Sequence, residues 1–81
     1  MTTITFYHKE GCHLCEKTRR QLQRLEQEMA LIVEEVDITQ DPDLYARYRY
    51  LIPVIDTRQG RVFTAPIDVG AVWEVLRGRS T

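Results

Sequence analysis

The chain predicts an α/β fold with the element order β-α-β-α-β-β-α. Three observations carry that expectation. Segments whose apolar residues alternate one by one are separated by segments whose apolar residues recur at helical spacing. The first two strand-like segments are joined through a helix, which makes them parallel and the crossover right-handed. The last two are joined only by Arg58-Gln59-Gly60, and so short a connection makes them antiparallel neighbours.

Each element has its own reason. In residues 3–8, Ile4, Phe6 and His8 fall on one face and Thr5 and Tyr7 on the other, as in a strand. Lys9-Glu10-Gly11 ends it. A helix is expected from about Cys12 to Met29, with Leu14, Thr18, Leu22, Leu25 and Met29 on its inner stripe. Its other side carries Glu16, Lys17, Arg19, Arg20, Gln23, Arg24 and Gln27 and is expected to be a solvated face with no binding role. Leu31-Ile32-Val33 opens a second strand that ends near Asp37-Ile38. Asp41-Pro42 then pairs a helix cap with proline at the first helical position. That helix is expected to run to about Tyr50, burying Leu44, Tyr45 and Tyr48. Leu51-Ile52 must leave it, because the residue before Pro53 is pushed towards extended angles. Val54–Thr57 and Arg61–Thr64 read as the two hairpin strands. Asp68 caps a last helix carrying Val69, Val72, Trp73, Val75 and Leu76, and Gly78 sits where helices commonly stop.

At 81 residues there is room for a single domain spanning 1–81, able to bury roughly two-thirds of its unfolded surface. The formal net charge of −1 gives no electrostatic reason to expect nucleic acid or a membrane surface as partner, and a monomer is expected. No apolar run approaches the roughly 20 residues of a membrane span. The start, Met1-Thr2-Thr3-Ile4, lacks a basic segment followed by an apolar one. Both cysteines belong to one short motif, whereas secreted scaffolds spread theirs to close long loops. The expected compartment is the reducing cytoplasm.

That motif is Cys12-His13-Leu14-Cys15, directly after the first strand and at the start of the longest helix. Free backbone N–H groups and the helix dipole favour an anion there, and the thiolate is the reactive form of cysteine. The second thiol, three residues on, is within reach to close a disulfide. A nucleophile with a resolving partner is the minimum equipment for dithiol–disulfide exchange. Zinc sites use the same spacing, so the motif alone leaves metal binding open.

The element order, the Cys-X-X-Cys at the first helix and Ile52-Pro53 before the third strand together resemble the thioredoxin-fold superfamily, and the small size resembles glutaredoxin. The resemblance covers essentially the whole chain. It implies a four-stranded mixed sheet of order 2-1-3-4 with helices on both faces. It also implies a cis peptide bond before Pro53, lying beside the two cysteines and turning the Ile52 N–H and C=O towards an extended peptide or glutathione. Lys9 matches a basic position that the family uses for a glutathione carboxylate. Other positions depart from the pattern. His13-Leu14 replaces the usual Pro-Tyr, and Thr64-Ala65-Pro66-Ile67-Asp68 replaces a Gly-Gly pair followed by aspartate. Asp68 can stand in for that acidic residue or serve only as a cap, and glutathione dependence stays open.

The expected chemistry is thiol–disulfide oxidoreduction and electron transfer, with Cys12 as attacking thiolate and Cys15 as resolving thiol. Lys9, His13, Leu14, Ile52, Pro53 and Asp68 are expected around the substrate. His13 reads as a residue tuning the cysteine pair or as a proton relay; His8 and Trp73 read as packing residues. Partners would be protein or low-molecular-weight disulfides, with glutathione or a flavoprotein reductase as reductant and no bound cofactor. Two other classes remain: an iron–sulfur cluster or metal held through the cysteine pair in a dimer, and a non-catalytic interaction module.

Overall fold

In the computed structural model, which describes residues 2–78, the expected elements follow one another with a single addition; Met1 and residues 79–81 of the expected domain lie outside the described residues. Strand β1 (Thr2–His8) leads to helix α1 (His13–Glu28) and strand β2 (Leu31–Asp37). A 3-10 turn, Ile38–Gln40, is the addition; Asp37 caps it by accepting the Thr39 N–H at 2.9 Å. Helix α2 (Pro42–Tyr48), strands β3 (Val54–Asp56) and β4 (Val62–Thr64), and helix α3 (Val69–Leu76) complete the chain.

The strands form one mixed sheet of order β2-β1-β3-β4, as the resemblance implies. β1 and β2 run parallel, with Thr2 opposite Leu31 and His8 opposite Asp37. β1 pairs antiparallel with β3, placing Phe6 opposite Ile55, and β3 pairs antiparallel with β4. The central position of β1 explains why its alternation is incomplete: Ile4, Thr5 and Phe6 are all buried, because both of its faces are covered. Ile4, Phe6 and Ile55 meet Leu22 and Leu25 of α1 and Val72 and Leu76 of α3 in the main core. On the opposite face Tyr7 stacks on Tyr48 of α2 at 4.7 Å between ring centroids.

Two expectations about α1 need correction. The buried stripe is Cys15, Thr18, Leu22 and Leu25, whose steps of three and four track one face of a helix. Leu14 lies about 100° round from Cys15 and is 53% exposed rather than packed. Arg19, placed with the solvated side, is half-buried. Its guanidinium reaches across to Glu35 of β2 at 2.9 Å, also bonds Glu16, and lies 5.7 Å from the Phe6 ring centroid.

Helix α2 ends two residues earlier than expected. The N–H groups of Leu51 and Ile52 both turn back to the Tyr48 carbonyl, at 2.8 and 3.1 Å, and close the helix there. Leu44, Tyr45 and Tyr48 are half-buried rather than buried. At its other end Asp41 Oδ1 accepts from Asp43 and Leu44, with Pro42 at the start of the helix. In the hairpin, Thr57 and Arg61 fall just outside the strands. The Thr57 N–H still donates to the Arg61 carbonyl at 3.0 Å, and Gly60 supplies the left-handed turn at φ 89°. Among the described residues, no helix is long and apolar enough to cross a membrane.

Candidate functional site

β1 ends at His8, and the chain reverses through Gly11, whose φ of 78° is open to glycine at little cost. That turn sets Cys12 as the N-cap of α1, with extended backbone angles. N-caps normally accept N–H groups with a side-chain oxygen. Here sulfur takes the role, and the Cys15 N–H donates to Cys12 Sγ at 3.1 Å. Such a donor, added to the positive end of the helix dipole, favours negative charge on that sulfur.

Cys15 lies one turn inside, on the buried stripe, at 0% exposure beside Phe6 and Leu22. The two cysteines are disulfide-bonded, with Cα atoms 5.1 Å apart. Cys12 is only half-buried. The pair is therefore asymmetric: one cysteine is half-buried at a helix cap and the other is enclosed by the core. The asymmetry follows from the helix period, since residue 12 precedes the first turn and residue 15 falls on the inner face.

The other expected site residues are distributed more widely. Leu14 is exposed beside the pair, and with Lys17 and Gln21 of α1 it forms one wall of a pocket of about 90 Å³. Pro53, Pro66 and Ile67 form the opposite wall. The Ile52–Pro53 and Ala65–Pro66 peptides are both cis. The Ala65 N–H donates to the Leu51 carbonyl at 3.1 Å, which ties the two proline loops together. His13 is exposed on the first turn, outside the pocket lining. Lys9 is half-buried in the preceding loop and has no ion-pair partner within 4.0 Å among the described residues. Asp68 also lies outside the lining; its Oδ1 accepts the Gly70 and Ala71 N–H groups at 2.9 and 3.4 Å, as a cap does. Ile52 departs from expectation in one respect. Its N–H is already given to Tyr48, so only its carbonyl is left to face a ligand.

Sequence reasoning missed Lys17, Gln21 and Pro66. The helical signal was present: from Leu14, positions three and seven along share its face. The part played by Pro66 depends on the Leu51–Ala65 hydrogen bond, which joins positions distant in sequence. Behind the site, His8 stacks on Phe6 at 5.4 Å and lies between Arg19 and Glu35. The hydrogen bond from Arg19 holds the Glu16 carboxyl below the usual carboxylate range. The bonds to Glu35 and then Glu16 push the Arg19 guanidinium higher still. His8 is thus a packing residue in a charged cluster.

Among the described residues, no group of three or more His, Cys, Asp or Glu side chains is arranged to hold a metal ion. The cysteine pair would supply only two of the four ligands of a tetrahedral centre.

Comparison with known proteins agrees with this geometry. A family model described as glutaredoxin-like domain (DUF836) matches residues 3–77. The chain is also similar to a solved structure, the X-ray structure of Northeast Structural Genomics target protein XcR50 from X. campestris. The identity is 27%, covering 93% of this chain and 96% of that one, with a TM-score of 0.77. No curated protein matches the chain. The family match and the bonded Cys12–Cys15 pair support a thiol redox role.

Proposed function

The chain belongs to the glutaredoxin-like domain family, and on that footing we propose that it is a thiol–disulfide oxidoreductase of the cytoplasm, working through Cys12 and Cys15. One observation carries the reading: a half-buried cysteine sits on a helix cap, bonded to a cysteine that the core encloses.

The cycle starts from the reduced pair. The Cys12 thiolate attacks one sulfur of a substrate disulfide; that S–S bond breaks, a mixed disulfide forms on Cys12, and the first substrate thiolate leaves and takes up a proton. Cys15 then gives up its proton and its sulfur attacks the Cys12 sulfur. The second substrate thiol leaves, and the protein is left with the Cys12–Cys15 disulfide. Two electrons have passed to the substrate, and an external thiol or flavoprotein reductant returns them. The backbone donors at the start of α1 stabilise Cys12 whenever it carries charge, as nucleophile and as leaving group. His13, exposed beside them, tunes the pair. Leu14, Pro53 and the Ile52 carbonyl receive the substrate.

The electron donor is proposed to be a flavoprotein reductase rather than glutathione. Three features support this: the Gly-Gly pair is replaced by Ala65-Pro66, Asp68 is engaged as a cap, and the Ile52 N–H is taken. A missing hydrogen bond to a buried or charged partner costs about 1–3 kcal/mol. Turnover of one disulfide substrate with glutathione and its reductase is accordingly expected to be slower than with thioredoxin reductase by about tenfold or more. Equal or faster turnover with glutathione would reverse the donor assignment. Failure with both donors would remove the enzymatic reading and favour an interaction module.

A further inference from the structure

The pocket between Leu14 and Pro53 does not end at Gln21. That residue also lines a second, larger cavity of about 290 Å³ between α1 and α3, walled by Arg24, Leu25 and Glu28 on one side and Val69 and Trp73 on the other. The α1 residues involved, Leu14, Lys17, Gln21, Arg24 and Glu28, form one row along the helix, at steps of three and four. The two cavities share Gln21 and lie along one face of α1, so together they form a groove that begins at Leu14, inside the cysteine motif.

We propose that this groove holds the polypeptide flanking the substrate cysteine, so that the substrate class is an extended protein segment bearing acidic and apolar side chains. The proposal rests on the redox reading of Cys12 and adds the identity of what Cys12 attacks. Length is the first argument. From Leu14 to Glu28 the helix rises about 21 Å at 1.5 Å per residue. An extended chain of about six residues covers that distance, whereas a tripeptide such as glutathione spans only about 10 Å and stops short of Trp73. Charge is the second. Lys17 and Arg24 line the groove against the single carboxylate of Glu28 at its far end, and none of the three has an ion-pair partner within 4.0 Å among the described residues. The stretch between Leu14 and Arg24 is therefore cationic, and a carboxylate side chain on the occupant pairs with Lys17 or Arg24 there. The third is shape: Leu25, Val69 and the half-buried Trp73 give the far cavity an apolar floor with room for a side chain as large as phenylalanine.

Trp73 is the only tryptophan in the chain, so its fluorescence reports on the groove directly. The test uses the full chain and tryptophan-free octapeptides with a cysteine at either end, held as a mixed disulfide with 2-mercaptoethanol. Aspartate, leucine and phenylalanine occupy positions four to six residues from that cysteine; a second set carries lysine for aspartate. The acidic peptides are expected to shift the emission saturably and to be reduced with a lower KM than bis(2-hydroxyethyl) disulfide. Arg24→Glu, a change on an exposed position, is expected to weaken acidic-peptide binding and raise its KM about fivefold or more. It should leave turnover of the small disulfide unchanged. Reduction of the small disulfide without a shift by any peptide would overturn the groove proposal while the redox reading stands. A saturable shift without any turnover would support the groove as a peptide site and count against the redox reading. A shift that depends on protein concentration alone would overturn the proposal in favour of a second copy of the chain.

Discussion

Replacing Cys12 with serine is expected to lower disulfide turnover by about a thousandfold or more, because the hydroxyl left at the helix cap is not ionised at neutral pH and cannot act as the nucleophile. Cys15→Ser is expected to behave differently. Its Cys12 still attacks, but nothing inside the protein releases the product, so the mixed disulfide accumulates. Intact mass after mixing with a low-molecular-weight disulfide reads this directly. Cys15→Ser should gain one equivalent of the small thiol on Cys12, and Cys12→Ser should gain little. The expected difference comes from exposure and not from motif order: Cys12 is half-open at the cap, and Cys15 is enclosed beside Phe6 and Leu22. Adduct on Cys15 in place of Cys12 would exchange the two roles.

The second large effect concerns the core that carries the site. Phe6 is fully buried at the centre of the sheet, touching the clusters of both α1 and α3. Phe6→Ala is expected to cost about 3–5 kcal/mol, since loss of the ring leaves a cavity that a close-packed interior fills only in part. Domains have stabilities of about 5–15 kcal/mol, and at this size each kcal/mol moves Tm by about 4–8 °C. The variant should therefore melt far lower than the parent, or not fold at ambient temperature. The informative comparison is Leu14→Ala. With its side chain 53% exposed, stability should change by about 0.5 kcal/mol or less. Urea unfolding of the three proteins decides it. A Leu14→Ala loss comparable to that of Phe6→Ala would return Leu14 to the core.

How far the fold could be read in advance depended on whether a feature was local. Helix α1 is bounded by Cys12 and Met29 because its apolar period is long and Gly11 breaks the strand before it. Asp41-Pro42 and Asp68 mark helix starts through their own capping chemistry, and the three-residue connection before Arg61 forces an antiparallel pair. The sheet order did not follow from periodicity; it came with the family likeness, since no local pattern says which strands are neighbours. Leu14 was misplaced for a related reason. Leucine at residue 14 and cysteine at residue 15 offer two candidate stripes, and leucine is the more apolar by composition. Burial of Cys15 is decided by the core cluster that Phe6 and Ile55 complete, and Ile55 lies forty residues further along the chain.

The site was legible to the same degree. The cysteine pair and Pro53 were visible as motifs. Arg19 was not, because its partner Glu35 stands on β2 and the two meet only once the parallel crossover is made. The engagement of the Ile52 N–H was hidden too. It arises from the way α2 closes on Tyr48 and reflects backbone geometry more than side-chain type. The groove from Leu14 to Trp73 needed both cavities in view, because its walls come from α1, the Pro66 loop and α3.

The most direct measurement is single-hit alkylation of the freshly reduced protein. At neutral pH with less than one equivalent of iodoacetamide, followed by peptide mapping, the label should be found on Cys12 with Cys15 left as free thiol. Label on Cys15 first, or equal label on both, would contradict the division of labour on which the proposed chemistry stands.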